Sequence, residues 1–476
     1  MTLSPTQLPS SAVDAATWAS AHETLKRDLI DLIRIRSVNP PDPPGAELDA
    51  ARTIGDRLID VGIVPEILEP VPGRGSVIAR IRGDGTGGDP LLLLSHLDVV
   101  PAPPDRWTHD PFSGDTADGY IWGRGAIDMK SMIALQLGVL RRLAAEARAA
   151  GRDPGSDPIP GLRRDILFAC TADEEAGGKD GAGWMIEHRP EALQAIGALS
   201  ECGGASVAAA GRRFYPIGIG EKGYCVYRIT ISGTWGHASM PRDDNAAVRA
   251  ATVIARMAVP GTPRLTEPVR QLFEDASAVL DPAQRELLAA ITGDDPGRSE
   301  AALRSLCDPS IARATRAVLR DTISPDVVNA GVKYNVIPGE ATVIIDCRVL
   351  PGTTEPQMRA EVERRLGDLA EVCTVELIIA ADPVVAPTDT DLYAHIRDAV
   401  LAHDPEALPV PVMIPLATDA KHLIKLGVPS YGFAPIRMDA SERILDKYHA
   451  VDERVSIDGL RWGLPVLYDV VRAFCG

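Results

Sequence analysis

The sequence predicts an α/β protein in which a mainly parallel sheet, covered by helices on both faces, is interrupted by an inserted α+β unit. Three observations predict this. Short strands alternate with helices through the first half of the chain, the order that builds a parallel, doubly covered sheet. Leu91-Leu92-Leu93-Leu94 is a continuous apolar run of the kind buried on both faces. Near Gly223 the texture changes to a period-two alternation over Tyr224 to Ile231, as in a strand with one solvated face.

Taken in order, Trp18 to Ile35 carries Leu25, Leu29, Leu32 and Ile33 at helical spacing, and Leu48 to Val61 repeats the pattern. Ser76 to Ile81 and Leu91 to Leu94 read as strands. Met129 to Ala150 is a long amphipathic helix with Met132, Leu135, Val139 and Leu143 on one side, followed by strands at Ile166 to Cys170 and Ala198 to Ser200. After the alternating strand come a helix over Ala246 to Met257 and a charged, helix-rich stretch to Arg320. Strands around Asp326 to Tyr334 and Ala341 to Arg348, a helix at Glu355 to Leu366 and a strand at Thr374 to Ile379 follow. That order, β-α-β-β-α-β, suits a small α+β sandwich with one exposed sheet edge. From Pro383 the α/β texture resumes with a strand at Val410 to Ile414, a helix over Ala420 to Leu426, a strand at Ser430 to Phe433 and a closing helix over Val455 to Phe474. The expected division is 1–223 with 383–476 as one discontinuous domain, and 224–382 as an insert with a helical segment near 260–320.

The 476 residues are 45% hydrophobic and 24% charged, with 42 Gly and 39 Pro dispersed, which excludes a wholly disordered or fibrous chain. Against 66 acidic residues stand 49 basic ones, a net charge of −17 without a long basic run, so nucleic acid is not an expected partner. No stretch reaches about 18 consecutive apolar residues, and Met1-Thr2-Leu3-Ser4-Pro5 lacks the basic-then-apolar order of a secretory signal. The expectation is a cytoplasmic protein with no membrane partner. Its seven cysteines are odd in number, widely separated and never paired as C-x-x-C, against both a disulfide framework and a cysteine-built metal site.

In open α/β sheets functional side chains gather beyond the carboxyl ends of the strands. Three successive strand ends here carry metal-capable groups: Ser95-His96-Leu97-Asp98, Thr171-Ala172-Asp173-Glu174-Glu175 and Glu201-Cys202-Gly203-Gly204. Asp128 opens the long helix after a glycine-rich turn, and His449 lies in Lys447-Tyr448-His449-Ala450-Val451-Asp452-Glu453. Two histidines and several carboxylates are the donors expected of zinc or a similar divalent ion, and bridging carboxylates allow two such ions to sit close together. A dinuclear hydrolase is the inference. Asp98, two residues after His96, is placed to fix that ring's tautomer. Adjacent Glu174 and Glu175 cannot both point the same way, so one binds metal while its neighbour serves as general base. Singly, each of these signals is weak; their joint placement at strand ends gives them weight.

The runs Ser95 to Ala102, Trp107 to Gly114, Asp118 to Lys130 and Ala172 to Gly178 resemble the signature of the di-zinc metallopeptidase family that contains aminoacylase, acetylornithine deacetylase, succinyl-diaminopimelate desuccinylase and the glutamate- and yeast-type carboxypeptidases. The resemblance continues through Gly233-Thr234-Trp235-Gly236-His237, Asn335 to Gly339, Asp346 to Gly352 and the His449 segment. It implies a zinc exopeptidase fold with Asp128 bridging two metals, His96 and Glu201 completing one site, and Glu175 and His449 the other. It also implies Glu174 as catalytic base and Asp98 as the partner of His96. The insert would be a dimerisation lid whose His237 reaches the partner subunit's active site, and Arg348 with Asn335 would hold a substrate carboxylate. Glu201, where Asp accompanies free-amine peptidases, favours a blocked amine and a free carboxylate.

The expected activity is therefore amide hydrolysis of N-acyl amino acids or of C-terminal peptide bonds, through a metal-bridged water activated by Glu174. The cofactor is two divalent ions, zinc first, with cobalt or manganese as alternatives, and the assembly is a homodimer. The alternatives are a dipeptidase acting on unblocked dipeptides and a non-catalytic ligand-binding relative. Thr418 is a further substrate-contact candidate, ahead of His422; His109 reads as a solvent-facing loop residue and Cys202 as packing. The segment near 260–320 reads as helical decoration of the lid, with shaping of the substrate pocket as the sharper alternative.

Overall fold

A computed structural model describes residues 8–39, 46–293 and 295–476; the first five residues, read above for a signal, lie outside them. The chain opens with α1 (Ala15–Arg34), whose amino end is capped by the Asp14 carboxylate accepting from the Thr17 amide at 2.9 Å, and α2 (Glu47–Asp60). Then come β1 (Pro65–Val71), β2 (Arg74–Ile81), β3 (Leu91–His96), α3 (Lys130–Ala149), β4 (Ile166–Thr171), β5 (Gly197–Ser200) and β6 (Arg212–Glu221). A second series runs β7 (Gly223–Ser232), α4 (Ala246–Met257), α5 (Glu267–Val279), α6 (Pro282–Ile291), α7 (Pro296–Leu306), α8 (Pro309–Val318), β8 (Thr322–Ala330), β9 (Glu340–Val349), α9 (Glu355–Leu366) and β10 (Cys373–Ala381). The chain closes with α10 (Asp391–His403), β11 (Leu408–Ile414), β12 (Ser430–Gly432) and α11 (Ile457–Cys475).

The large sheet runs β1-β2-β4-β3-β5-β12-β6, with β11 paired to β6. Its middle, β4-β3-β5-β12, is parallel, while β1, β2 and the β12–β6 contact are antiparallel. Both faces are covered. Leu91 and Leu93 of β3 enter one core with α1, α2, α3, α10 and α11, whereas Leu92 and Leu94 enter another with Met185, Leu193 and Leu423. That is the physical reason for the unbroken leucine run. The amine of Lys130, fully buried at the start of α3, donates to the carbonyls of Leu32 and Ile35 at 2.9 Å each and so caps the end of α1. Burial pushes this amine down to about 7.

The second sheet, β8-β9-β7-β10, is wholly antiparallel. Its inner face, from Tyr227, Ile229, Ile231, Val343 and Ile345, packs under α4 and α9. Its element order is the expected β-α-β-β-α-β once α5 to α8 are set aside.

The sequence reading did not contain β1 or α10, and three further features differ from it. β6 was not foreseen, because Pro216, Gly218 and Gly220 within Arg212–Glu221 read as turn residues; the strand is held by β11 on one side and by β12 at Gly432. β8 begins at Thr322 instead of near Asp326, with a bulge between Pro325 and Val327 that absorbs the proline. The segment near 260–320 does not simply decorate the second sheet. Asp281, Asp295 and Asp308 cap three of its four helices, each followed by proline, and the helices pack on the large sheet through Phe214, Val410 and Met413.

The closing helix α11 passes so near the chain after β12 that a Cβ at Gly463 would lie 1.8 Å from the Pro435 carbonyl oxygen. Gly463→Ala should therefore destabilise by roughly 1–3 kcal/mol or more through overpacking, read as a lowered thermal midpoint; an unchanged midpoint would show that this contact relaxes freely.

Candidate active site

β4, β3 and β5 are adjacent and parallel, so their carboxyl ends open on one edge. His96 is the last residue of β3, Glu174 and Glu175 form a single helical turn just past β4, and Glu201 follows β5 directly. Asp128 comes from the loop before α3, His449 from the loop before α11. Two groups result, His96-Asp128-Glu201 and Asp128-Glu175-His449, the candidate ligand atoms of each lying within 4.8 Å of one another. Asp128 belongs to both: Oδ1 is 3.1 Å from His96 Nε2, and Oδ2 is 3.2 Å from His449 Nε2. His96 Nε2 is also 3.6 Å from Glu201 Oε2, and His449 Nε2 is 3.2 Å from Glu175 Oε2.

The backbone is strained to achieve this. Asp173, Cys202 and His449 take left-handed φ values of 70°, 65° and 56°. Each either precedes, follows or is one of the clustered residues, so the strain serves to turn side chains into the cleft.

The donor chemistry fits two divalent cations. His96 Nδ1 lies 3.0 Å from the Asp98 carbonyl oxygen, an acceptor for a ring proton there, and Nε2 lies 3.1 Å from Asp128 Oδ1. With Nδ1 held by that carbonyl, Nε2 is the ring atom left to bind a cation shared with Asp128. Glu175 Oε1 is buried without a hydrogen-bond partner, a second acceptor in need of a cation. Imidazole with carboxylate suits zinc and its neighbours.

Burial pushes the Glu201 carboxyl up to about 7, with His96 opposing. It also pushes Glu174 well above the usual carboxylate range, opposed first by Lys421, whose Nζ lies 3.2 Å from Glu174 Oε1. Asp98 ties the two ends together, accepting from the amides of Glu174 at 3.2 Å and Glu175 at 3.0 Å and from Asn39 Nδ2 at 2.9 Å. Arg74 donates at 2.9 Å to Asn39 and at 2.8 Å to Glu47, which itself accepts from the Asp173 amide at 3.0 Å. Fully buried Glu453 accepts from the amides of Gly125, Ile127 and Asp128 at 3.1, 2.7 and 3.0 Å and from Arg124 at 2.6 Å.

The remaining expected residues lie elsewhere. His237 is exposed, on a two-residue strand, its Nδ1 2.7 Å from Ser239 Oγ. Arg348 donates to both oxygens of Asp346, at 2.8 and 2.9 Å, and stacks on Tyr224. Asn335 Oδ1 is buried without a partner. Thr418 is buried, donating its amide at 2.9 Å and its hydroxyl to Glu221. His422 Nε2 lies 2.9 Å from the Gly177 carbonyl, and His109 is half-buried, 3.1 Å from Asp115 and packed on Trp122. The Cys202 thiol is 3.5 Å from Glu201 Oε2. Sequence reasoning missed Lys421, Glu453, Asn39, Glu47 and Arg74. Lys421 stands between Thr418 and His422, and Glu453 four residues after His449, so proximity to named residues was the one signal available.

The profile of peptidase family M20/M25/M40 matches residues 92–473. The chain belongs to this family. It is 28% identical over 405 residues to the N-fatty-acyl-amino acid synthase/hydrolase of Xenopus tropicalis, covering 83% of this chain and 74% of that one. To aminoacylase-1 of Sus scrofa it is 29% identical over 409 residues, covering 85% of each. The M20 metallo-carboxypeptidase of Sulfolobus solfataricus shares the fold, with a TM-score of 0.69 at 17% identity over 94% of this chain and 98% of that one. The M20 member described here is accordingly a metal-dependent hydrolase of amide bonds.

In this M20 chain Glu453→Ala strips the counter-charge from Arg124 and the acceptor from three amides. It should cost roughly 3–5 kcal/mol, and bound metal should fall below two per chain, measured by denaturation and elemental analysis. Full metal content would show that Asp128 is positioned without it.

Proposed function

We propose that this hydrolase removes the acyl group from N-acyl amino acids, or cleaves the C-terminal bond of short peptides, where the substrate keeps a free carboxylate. The observation that carries the reading is Asp128 standing between His96 with Glu201 and His449 with Glu175, with Glu174 beside the group and not in it. His96, Asp128 and Glu201 would hold one ion, and Asp128, Glu175 and His449 the other, zinc before cobalt or manganese. When bound, the ions supply an acidified water and polarise the scissile carbonyl.

Glu174 takes a proton from the attacking water and returns it to the leaving amine; its burial, which raises its proton affinity, suits both halves of that exchange. Lys421 keeps the carboxylate from turning towards the clustered ligands. Asp98 fixes His96 and both glutamates at once. Arg348 offers a planar guanidinium, and Asn335 its side-chain N–H groups, for the substrate carboxylate. Thr418 is the further substrate contact in this reading, its amide and hydroxyl donating to Glu221.

Residues 1–223 and 383–476 form the catalytic domain in this reading, and 224–382 the lid. The lid would pair two copies through the β10 edge, where Leu377, Ile378 and Ile379 are exposed. Exposed His237 would then serve the neighbouring subunit's cleft, donating to the developing oxyanion. Among the described residues no helix is long and apolar enough to cross a membrane, in keeping with a cytoplasmic enzyme. The aminoacylase and N-fatty-acyl-amino acid hydrolase relatives favour the acyl amino acid as substrate.

The zinc-loaded protein should cleave N-acyl amino acids and lose that activity when their carboxylate is amidated; preference for unblocked dipeptides would replace this reading with a dipeptidase. Glu174→Gln should lower kcat by about 10²- to 10⁴-fold with metal content still near two per chain; substantial residual activity would remove Glu174 from the base role.

A further inference from the structure

We propose that the cavity between the helical segment α5 to α8 and the β6–β11 edge of the large sheet binds a long apolar acyl chain, making long-chain N-acyl amino acids the preferred substrates. This rests on the N-acyl amino acid reading above. The cavity has a volume of about 500 Å³, inside the roughly 300–1,000 Å³ usual for small-molecule sites. Phe214 and Val412 form its sheet wall, and Phe273, Ala276 and Ile311 its helical wall. The charged group on its lining, Arg313, is engaged outward by Asp446. Ser310 and Thr315 spend their hydroxyls on Asp308 and the Ile311 carbonyl. A mostly apolar lining whose Arg313, Ser310 and Thr315 are already engaged offers little to a charged ligand and suits a long methylene chain.

Position selects the occupant. Cys202 and Tyr448 belong to the lining, and each is joined by a peptide bond to a residue of the candidate metal group, Glu201 and His449. A substrate whose scissile carbonyl lies at that group has two arms. One ends in the carboxylate that Arg348 and Asn335 are proposed to hold, and neither of those residues lines the cavity. The acyl arm is left for the apolar side, where the cavity begins. α5 to α8 supply the whole helical wall, so pocket formation gives a purpose to a segment in which sequence reading found no motif.

The test uses the metal-loaded enzyme with acetyl, hexanoyl, dodecanoyl and hexadecanoyl derivatives of one amino acid, and with one acyl group on amino acids of increasing side-chain length. The value of kcat/KM should rise about fourfold per methylene along the acyl series until the cavity is full, the equivalent of ~0.8 kcal/mol per buried CH₂. Ala276→Trp, which fills the cavity, should abolish the rise and leave the acetyl substrate unchanged; Ala314→Trp from α8 serves if the first variant does not fold. Both should weaken binding of cis-parinarate, a fluorescent long-chain fatty acid. A flat acyl series, a rise that both variants leave intact, or a dependence that follows the amino-acid side chain overturns the chain site. If no N-acyl amino acid is turned over, the proposed function falls separately. Parinarate binding that Ala276→Trp abolishes then still supports the chain site, and absence of binding overturns it.

Discussion

Negative charge collected in a small buried volume is the constraint on which the rest of the structure depends. Asp128, Glu175 and Glu201 converge with two imidazoles at the carboxyl ends of parallel strands, and Glu174 lies next to them. Carboxylates brought so close out of water repel one another and lose hydration, which is why burial pushes Glu201 and Glu174 upward. Such a group stays ionised only where cations or fixed donors offset the cost. The fold supplies the donors, and Asp128, shared by both groups, stands where cations would neutralise the cluster.

Two buried networks hold the group from opposite sides. Glu453 gathers three amides of the loop that delivers Asp128, so the position of a ligand from before α3 depends on a residue from before α11. On the other side Asp98 ties His96 to the turn carrying Glu174 and Glu175, and Asn39, Arg74 and Glu47 extend that tie to Asp173. Each network joins segments far apart in sequence, and each places a fully buried charge against a paired partner, the condition under which buried charge is tolerated.

The helical segment α5 to α8 builds an apolar cavity and contributes none of the clustered ligands. It enters the chain inside the second sheet's sequence, yet its apolar faces are satisfied by the far edge of the large sheet. The edge strands β6 and β11 would otherwise present Phe214 and Val410 to water. Covering them creates an apolar cavity whose lining includes Cys202 and Tyr448, the chain neighbours of Glu201 and His449.

Local pattern determined much of this protein. Periodicity placed α4 and α9 with their observed ends, the leucine run marked a strand buried on both faces, and strand-end position singled out His96, Glu175 and Glu201. These were legible because periodicity and strand ends are properties of neighbouring residues. Tertiary structure alone decided the rest. β6 is a strand because β11 and β12 hold it, against the preference of its own proline and glycines. Lys421 reaches Glu174, and Glu453 reaches the Asp128 loop, across more than 240 residues of chain. The placement of α5 to α8 follows from which apolar edge was left uncovered, a fact about the assembled sheet. A buried charge or an open edge selects its partner by distance in space, and spacing along the chain carries no record of that distance.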